Sequence, residues 1–214
     1  MKSLLFAAAT VFALSPTYGA EDGFVDLFNG KDLSGWFVQP ENPKVWNVQK
    51  GGVLARHVQS NYIWTKETFG DFIIEMEFKV SPGCNSGLFF RTDPNNPVQG
   101  GFEMQIMDSF GKDPDKHDCG ALYDAREPSV NAVKKAGEWN TLRLEVKGPK
   151  IICDINGQRV QDLNLDDWKT PEKNPDGSKN KFKTALKDLP RTGHIGFQDH
   201  GHDVWYRNIR LKKL

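Results

Sequence analysis

The sequence predicts an all-β fold of antiparallel strands with little helix. Short runs rich in Val, Ile, Phe, Trp and Thr are separated by clusters of Gly, Pro, Asn and Asp, which is the pattern of strands joined by turns. The chain lacks a sustained apolar period of about 3.6 residues, which an amphipathic helix requires. So many short strands in one chain predict either two packed sheets or a closed barrel.

The first 20 residues have the layout of a secretory signal peptide. Lys2 precedes an apolar run over residues 4–14, and the small residues Gly19 and Ala20 follow. The apolar run is shorter than the roughly 20 residues that cross a bilayer. We therefore predict export to the periplasm or the medium without membrane insertion, cleavage after Ala20 or Gly19, and a single domain over residues 21–214.

Charge argues against nucleic acid and anionic membranes as partners. The chain has 28 basic and 28 acidic residues, and the predicted signal peptide holds one basic residue and no acidic one, so the remainder carries −1 with neutral histidines. This balance gives no electrostatic attraction to phosphates. It suits a small neutral partner such as a sugar.

Two segments alternate most clearly as strands. In residues 71–80, Phe72 and every second residue up to Val80 are apolar, and three of the intervening residues are charged. Residues 139–147 alternate in the same way. Each segment therefore predicts an antiparallel strand with one face toward the core.

The C-terminal half predicts a hairpin followed by a long insertion. Residues 150–163 predict the hairpin because Asn156-Gly157 suits the two left-handed positions of a tight turn. Residues 164–190 are largely polar and are either mobile or a flap over a site. Within them, residues 181–186 predict a short helix.

The three cysteines allow at most one disulfide. Cys84 and Cys119 lie beside glycines in predicted loops, and Cys153 lies in a predicted strand. Either Cys84 and Cys119 are bridged, or all three are small buried thiols.

The strand at residues 101–108 is the first candidate site. Its alternation turns the apolar residues toward the core and Glu103 and Gln105 to the other face. Those two side chains either meet solvent or bind a substrate. Asp108 would join them through a β-bulge near Met107.

Polar residues in other predicted strands and loops extend this candidate site. Arg91 lies in a strand otherwise rich in Leu and Phe, so we expect it to pair with Glu103. Tyr123 is either a donor and stacking platform for a sugar or a core residue. Gln198 and His200 end an apolar strand just before a glycine.

A loop rich in acidic residues is a candidate calcium site. It either ligates a structural calcium ion or forms a solvated turn, and the turn is favoured because the loop lacks the ligand spacing and glycine of a recognised calcium loop. We predict no other cofactor. The loop residues concerned are Asp113, Asp115, His117 and Asp118.

A series of motifs runs through the chain: residues 27–36, 46–54, Asp71-Phe72, Asn85-Ser86-Gly87 with Arg91, Glu103 with Gln105 and Asp108, residues 120–123, 138–140, Asn156-Gly157, residues 198–201 and 207–209. In these motifs and their order, residues 24–214 resemble the 3-keto-disaccharide hydrolase domain, a bacterial family. The resemblance implies a concanavalin A-like jelly-roll sandwich of two antiparallel sheets.

The resemblance also implies an exported enzyme that cleaves the glycosidic bond of 3-keto-glycosides and 3-keto-disaccharides. The keto group acidifies the proton on carbon 2, so the glycosidic oxygen on carbon 1 can leave by elimination before water adds. This route needs a base, a donor or cation at the enolate oxygen, and an acid at the leaving oxygen. The expected catalytic residues are Glu103, His200 and Asp108, with Glu103 or His200 as the base and Asp108 or Tyr123 at the leaving oxygen; the expected substrate-binding residues are Arg91, Gln105, Tyr123, Gln198 and Asn85.

Two other functions suit the same residues. A non-catalytic carbohydrate-binding module would depend on aromatic platforms more than on carboxylates. A conventional β-glucanase would need two carboxylates roughly 5 Å apart, whereas Gln105 stands where such a strand carries its middle acid.

Overall fold

The computed structural model describes residues 23–41, 45–56 and 61–214. The predicted signal peptide lies outside these residues. Within them, no helix is long and apolar enough to cross a membrane. The strands in the described ranges are β1 (Val25–Asp26), β2 (Trp36–Gln39), β3 (Trp46–Gln49), β4 (Val53–Arg56), β5 (Tyr62–Phe69), β6 (Phe72–Val80), β7 (Asn85–Thr92), β8 (Phe102–Met107), β9 (Asn140–Lys147), β10 (Lys150–Ile155), β11 (Gln158–Asn164), β12 (Gly193–Gln198) and β13 (Val204–Lys213).

The strands form two antiparallel sheets, which confirms the predicted jelly-roll sandwich. The larger sheet has the order β11-β10-β9-β6-β13-β4-β3, and β1 pairs with β13. The smaller sheet has five strands in the order β2-β5-β12-β7-β8. Successive strands change sheet repeatedly, so the two layers close over one core.

A file of aromatic rings crosses the core and joins the two sheets. Trp46 of β3 meets Tyr206 of β13 at 6.2 Å between ring centroids, Tyr206 stacks on Phe197 of β12 at 4.1 Å, and Phe197 stacks on Trp36 of β2 at 5.7 Å. All four are buried. Such rings contribute large apolar areas, which is why these strands carry aromatics at their inward positions.

The strongest strand predictions are confirmed. Residues 71–80 and 139–147 contain β6 and β9. The hairpin is β10 and β11, and its turn residues Asn156 and Gly157 have φ values of 51° and 77°. Both are left-handed, as the Asn-Gly pair predicted.

The insertion at residues 164–190 is held by its own side-chain hydrogen bonds. Trp168 Nε1 donates to Asn174 Oδ1 at 2.9 Å, and Asn180 Nδ2 donates to the same oxygen at 2.8 Å. All three residues are buried, so the insertion is a packed flap. The helix predicted at residues 181–186 is wrong, because that segment is irregular until the 3-10 turn Leu186–Asp188; a second 3-10 turn is Leu165–Asp167.

Arg91 is a buried structural residue, and the predicted pair with Glu103 is wrong. It has a φ of 51° and no exposed surface. This left-handed backbone breaks the alternation of β7 and turns the guanidinium to the end of the sandwich. There Arg91 donates to the carbonyls of Gly70 and Gly148 at 2.9 and 2.7 Å and to the Asp71 carboxylate at 2.7 Å.

Arg91→Met is expected to lower the free energy of unfolding by about 3 kcal/mol, because two buried carbonyls and a carboxylate lose their donor. Chemical denaturation at pH 7 measures the loss. Arg159→Met is the control, since Arg159 forms an exposed pair with Asp154 and exposed pairs contribute little. Equal losses in the two variants would contradict the structural role given to Arg91.

The three cysteines are small buried thiols, which is the second of the two predicted alternatives. Cys84, Cys119 and Cys153 are all buried and free, so the Cys84–Cys119 bridge is wrong. Burial raises the pKa of Cys84 and of Cys119 to about 12, as expected for inert core thiols.

Candidate active site

A cavity of about 450 Å³ opens on the outer face of the five-stranded sheet. Five predicted site residues line it: Asn85, Glu103, Tyr123, Gln198 and His200. Strand pairing places Asn85, Glu103 and Gln198 on this face from β7, β8 and β12, whereas Tyr123 and His200 reach it from loops. The remaining described residues of its lining are Pro40, Asn61, Tyr62, Phe89, Val98, Lys181 and Asp199.

An aromatic cluster forms the floor of the cavity. Tyr62 stacks on Trp64 at 5.3 Å between ring centroids, and Phe89 meets both rings edge-on at 5.5 and 5.6 Å. Gly196 makes room for this cluster, since a Cβ there would lie 2.2 Å from the Trp64 ring. Tyr62 and Phe89 were missing from the predicted site, because aromatic residues in strands are more often core.

Glu103 is the central acid of the site. Its residue is only 7% exposed, and burial raises its pKa from 4.5 to about 7, although nearby Lys181 lowers it. The Glu103 side chain lies over Gly87 of β7, the cross-strand partner of Gln105, where a Cβ would lie 2.2 Å from Glu103 Oε1. The buried carboxylate therefore occupies space that only glycine leaves open.

Lys181 is the cation of the site. Its Nζ lies 3.9 Å from Glu103 Oε2 and 3.9 Å from the centroid of the Tyr123 ring. Burial lowers the pKa of Lys181, whereas the Glu103 charge raises it. Burial and the charge of Glu103 also raise the pKa of Tyr123, which keeps its phenol protonated as a hydrogen-bond donor.

Gln99 fixes the segment that carries Lys181. Its Nε2 donates to the Lys181 carbonyl at 2.8 Å, and its Oε1 accepts from the Lys183 N–H at 2.9 Å. Sequence reasoning missed Lys181 because its position depends on these loop contacts and on no strand alternation.

Gln105 supports the cavity from beneath. It is 1% exposed, and its Nε2 donates to Asn85 Oδ1 at 3.0 Å. This hydrogen bond fixes the orientation of the Asn85 amide, whose nitrogen is a hydrogen-bond donor. Gln105 is thus placed to orient Asn85 and does not itself line the cavity.

Asp199 and His200 lie at the other side of the cavity. Asp199 is buried and forms an ion pair with Arg56 of the larger sheet, and its Oδ1 also accepts from the Gly201 N–H at 2.9 Å. His200 is exposed at the mouth. Asp199 therefore stabilises the fold, and His200 is accessible to a ligand.

Asp108 does not reach the cavity. The β7–β8 ladder runs without a register shift from Asn85↔Met107 to Phe90↔Phe102, so the predicted bulge near Met107 is wrong. Asp108 Oδ2 instead accepts from the Gly83 N–H at 2.9 Å. Its carboxylate anchors a loop.

The acidic loop contacts Tyr123 through His117. The two rings meet at 5.1 Å, and the His117 ring nitrogens contact Asp115 at 2.9 Å and Asp124 at 3.1 Å. The imidazole of His117 therefore lies between two carboxylates of the loop for which a calcium ion was one of the two predicted alternatives. In the described part of the chain, no group of three or more His, Cys, Asp or Glu residues has the arrangement of a metal site.

Comparison with known proteins agrees with this geometry. A protein of Bacteroides thetaiotaomicron named 3-keto-disaccharide hydrolase is 29% identical over 230 residues, covering 90% of this chain and 79% of that protein. A solved candidate glycosyl hydrolase from Parabacteroides distasonis is 33% identical with a TM-score of 0.82, covering 89% of this chain and 99% of that one. A β-glucanase of Bacillus licheniformis has the same fold at 13% identity, with a TM-score of 0.54 over 89% of this chain and 97% of that one.

The family match extends over almost the whole described chain. Residues 23–212 match the 3-keto-alpha-glucoside-1,2-lyase-like domain, and this span holds every described residue that lines the cavity. The chain therefore belongs to the 3-keto-alpha-glucoside-1,2-lyase-like domain family.

Proposed function

We propose that this protein cleaves the glycosidic bond of 3-keto-glycosides by elimination followed by hydration, with the Glu103 cavity as its active site. The observation that carries the proposal is a buried carboxylate with a pKa of about 7 beside the ammonium group of Lys181. A base of that pKa is well matched to proton abstraction at neutral pH. The names of the related domain and of the Bacteroides relative support the 3-keto substrate class.

The first step is loss of the proton on carbon 2. Glu103 takes this proton, and the electron pair of the broken carbon–hydrogen bond forms the enolate of the 3-keto group. Lys181 is the fixed cation near this charge, and Asn85 is a second donor. Charge stabilisation by preorganised groups in a water-poor site is worth several kcal/mol.

The second step is departure of the glycosidic oxygen. The enolate oxygen re-forms the carbonyl group at carbon 3, and the electron pair of the carbon 2 to carbon 3 double bond becomes a double bond between carbons 1 and 2. The bond from carbon 1 to the glycosidic oxygen breaks, and its electron pair leaves with that oxygen. Tyr123 or His200 supplies the proton to the leaving oxygen. Water then adds across the new double bond, so that the net change is hydrolysis.

The elimination route is tested in heavy water. A 3-keto-glucoside incubated with the enzyme should give a product with deuterium at carbon 2. Parallel incubations without enzyme and with Glu103→Gln correct for spontaneous exchange. Turnover without excess deuterium at carbon 2 would exclude elimination and leave direct displacement.

The alternatives are less well supported by the site. A retaining β-glucanase needs a second free carboxylate, whereas Asp108 faces a loop and Asp199 is paired with Arg56. A binding module would not need a buried acid of raised pKa. Turnover of an unmodified glucan, or binding of 3-keto-glucoside without turnover, would favour these alternatives.

Gly87→Ala is expected to lower kcat/KM about 10- to 100-fold for a 3-keto-glucoside. The added Cβ would overlap Glu103 Oε1 and displace the base, and small displacements of catalytic groups cost such factors. Steady-state kinetics measure the effect. Gly35→Ala is the control, since its Cβ would meet open space; unchanged kinetics for Gly87→Ala would contradict the position given to Glu103.

We also propose that the protein is exported, on the layout of residues 1–20. Fractionation of cells expressing the full chain and a chain lacking residues 1–20 tests this. Identical distribution of the two chains would overturn it.

A further inference from the structure

A second cavity lies on the same face of the five-stranded sheet. It has a volume of about 420 Å³, and Phe37, Asn95, Thr192 and His194 are among its lining residues. The pairing Phe37↔Trp64 and Gln39↔Tyr62 places Phe37 and Gln39 of β2 on the face that carries the active-site floor. The cavity is therefore on the substrate-facing side of the sandwich.

The two cavities share a wall. Gln39 Nε2 donates to Asn95 Oδ1 at 3.1 Å, and both residues line the second cavity. Their near neighbours Pro40 and Val98 line the first. A ligand longer than the first cavity would pass over this hydrogen-bonded pair.

The lining has the chemistry of a neutral sugar site. Phe37 offers a half-buried ring, which His194 meets edge-on at 5.8 Å. His194 Nδ1 donates to the Thr65 carbonyl at 2.7 Å, so a neutral imidazole keeps Nε2 as an acceptor. Among the described residues that line the cavity, one is a carboxylate, Asp93, and none is Lys or Arg, which does not suit an anionic ligand.

Glu103 and Phe37 lie at opposite edges of the five-stranded sheet. Glu103 lies on β8 at one edge, and Phe37 lies on β2 at the other. A ligand that contacts both residues therefore runs across the sheet. Such a ligand, bound with its keto-sugar unit at Glu103, would place a further unit in the second cavity.

We propose that this second cavity is a subsite for a neutral hexose unit of the leaving group, so that the preferred substrates are 3-keto-glycosides longer than a disaccharide. The proposal rests on the proposed function. A ring that packs on Phe37 and hydrogen-bonds to Asn95, Thr192 and His194 would combine apolar contact with a few placed polar groups, as ligand sites do.

The experiment compares three substrates with the same 3-keto-glucosyl unit and a methyl, glucosyl or maltosyl leaving group. For the wild type, kcat/KM should rise about tenfold from methyl to maltosyl. Phe37→Ala should remove that rise, since burial of an aromatic ring is worth at least this factor, and should leave the methyl substrate within about twofold. Phe110→Ala is the control, because Phe110 is 48% exposed outside both cavities.

Two results would overturn the subsite and leave the proposed function intact. One is a wild-type kcat/KM that does not change with the length of the leaving group. The other is a Phe37→Ala variant that loses kcat/KM equally for all three substrates. If no 3-keto substrate is turned over, the proposed function fails separately, and equilibrium binding of unmodified maltotriose decides the subsite. Weaker binding by Phe37→Ala than by Phe110→Ala then supports it. Equal binding by the two variants overturns it.

Discussion

Replacing Glu103 with Gln is expected to lower kcat for a 3-keto-glucoside about 1,000-fold, because the loss of a general base typically costs 10²- to 10⁴-fold. Gln keeps the size and most hydrogen-bonding capacity of the side chain but cannot take the proton from carbon 2. In the wild type, kcat/KM should rise with pH through about 7, where the carboxyl group ionises. Single-turnover kinetics across this range measure both effects.

The same substitution is expected to raise the relative stability of the protein at alkaline pH. The pKa of Glu103 is about 7 in the folded chain against 4.5 in the reference state, so the folded state holds its proton more tightly than the unfolded one. Wild-type stability therefore falls as pH rises from 4.5 through 7, and Glu103→Gln escapes that loss. The free energy of unfolding of the variant relative to wild type should increase by on the order of 3 kcal/mol between pH 4.5 and 8.

Glu138→Gln is the matched control, since Glu138 is exposed and lies outside the cavity. It should change neither kcat nor the pH dependence of unfolding. A Glu103→Gln variant with wild-type turnover would remove Glu103 from the mechanism. A stability difference that stays constant with pH would show that the carboxyl group is not destabilised by burial.

Strand alternation predicted the parts of the site that lie on regular strands. In β8 the core takes Phe102, Met104 and Ile106, and Glu103 therefore lies on the cavity side. Because side chains alternate along a strand, the residues between the buried ones must lie on the opposite face. The predicted candidates Asn85 of β7 and Gln198 of β12 also line the cavity. Tyr123 and His200 line it from loops, so alternation did not place them.

Alternation failed where the backbone leaves the regular β conformation. Arg91 has a positive φ, so its side chain does not follow the face of Phe89, and no residue pattern signals this change. The predicted bulge that would have moved Asp108 is absent from the β7–β8 ladder. Lys181 lies on a flap whose backbone is held by two hydrogen bonds with Gln99. Gln99 is distant from Lys181 in the sequence, and no periodic pattern links the two residues.

Lys181→Met is expected to lower kcat about 100-fold and to move the acid limb of the pH–rate profile to higher pH. Met keeps the length and apolar contacts of the side chain but removes the cation near the enolate charge, and such electrostatic groups contribute 10²- to 10³-fold. The Lys181 charge also lowers the pKa of Glu103. Its removal should therefore raise that pKa above 7, so more alkaline solution is needed to ionise the base.

Two further variants separate charge from loop structure. Lys181→Arg keeps a cation and should leave the acid limb near its wild-type position, although its larger head group changes the distance to Glu103 Oε2. Lys183→Met removes an exposed lysine two residues further along the same flap and should change neither kcat nor the limb. A kcat loss in Lys181→Met with an unmoved acid limb would mean that Lys181 acts by shaping the flap. A shifted limb that Lys181→Arg restores identifies Lys181 as the group that keeps Glu103 ionised and so able to act as the base.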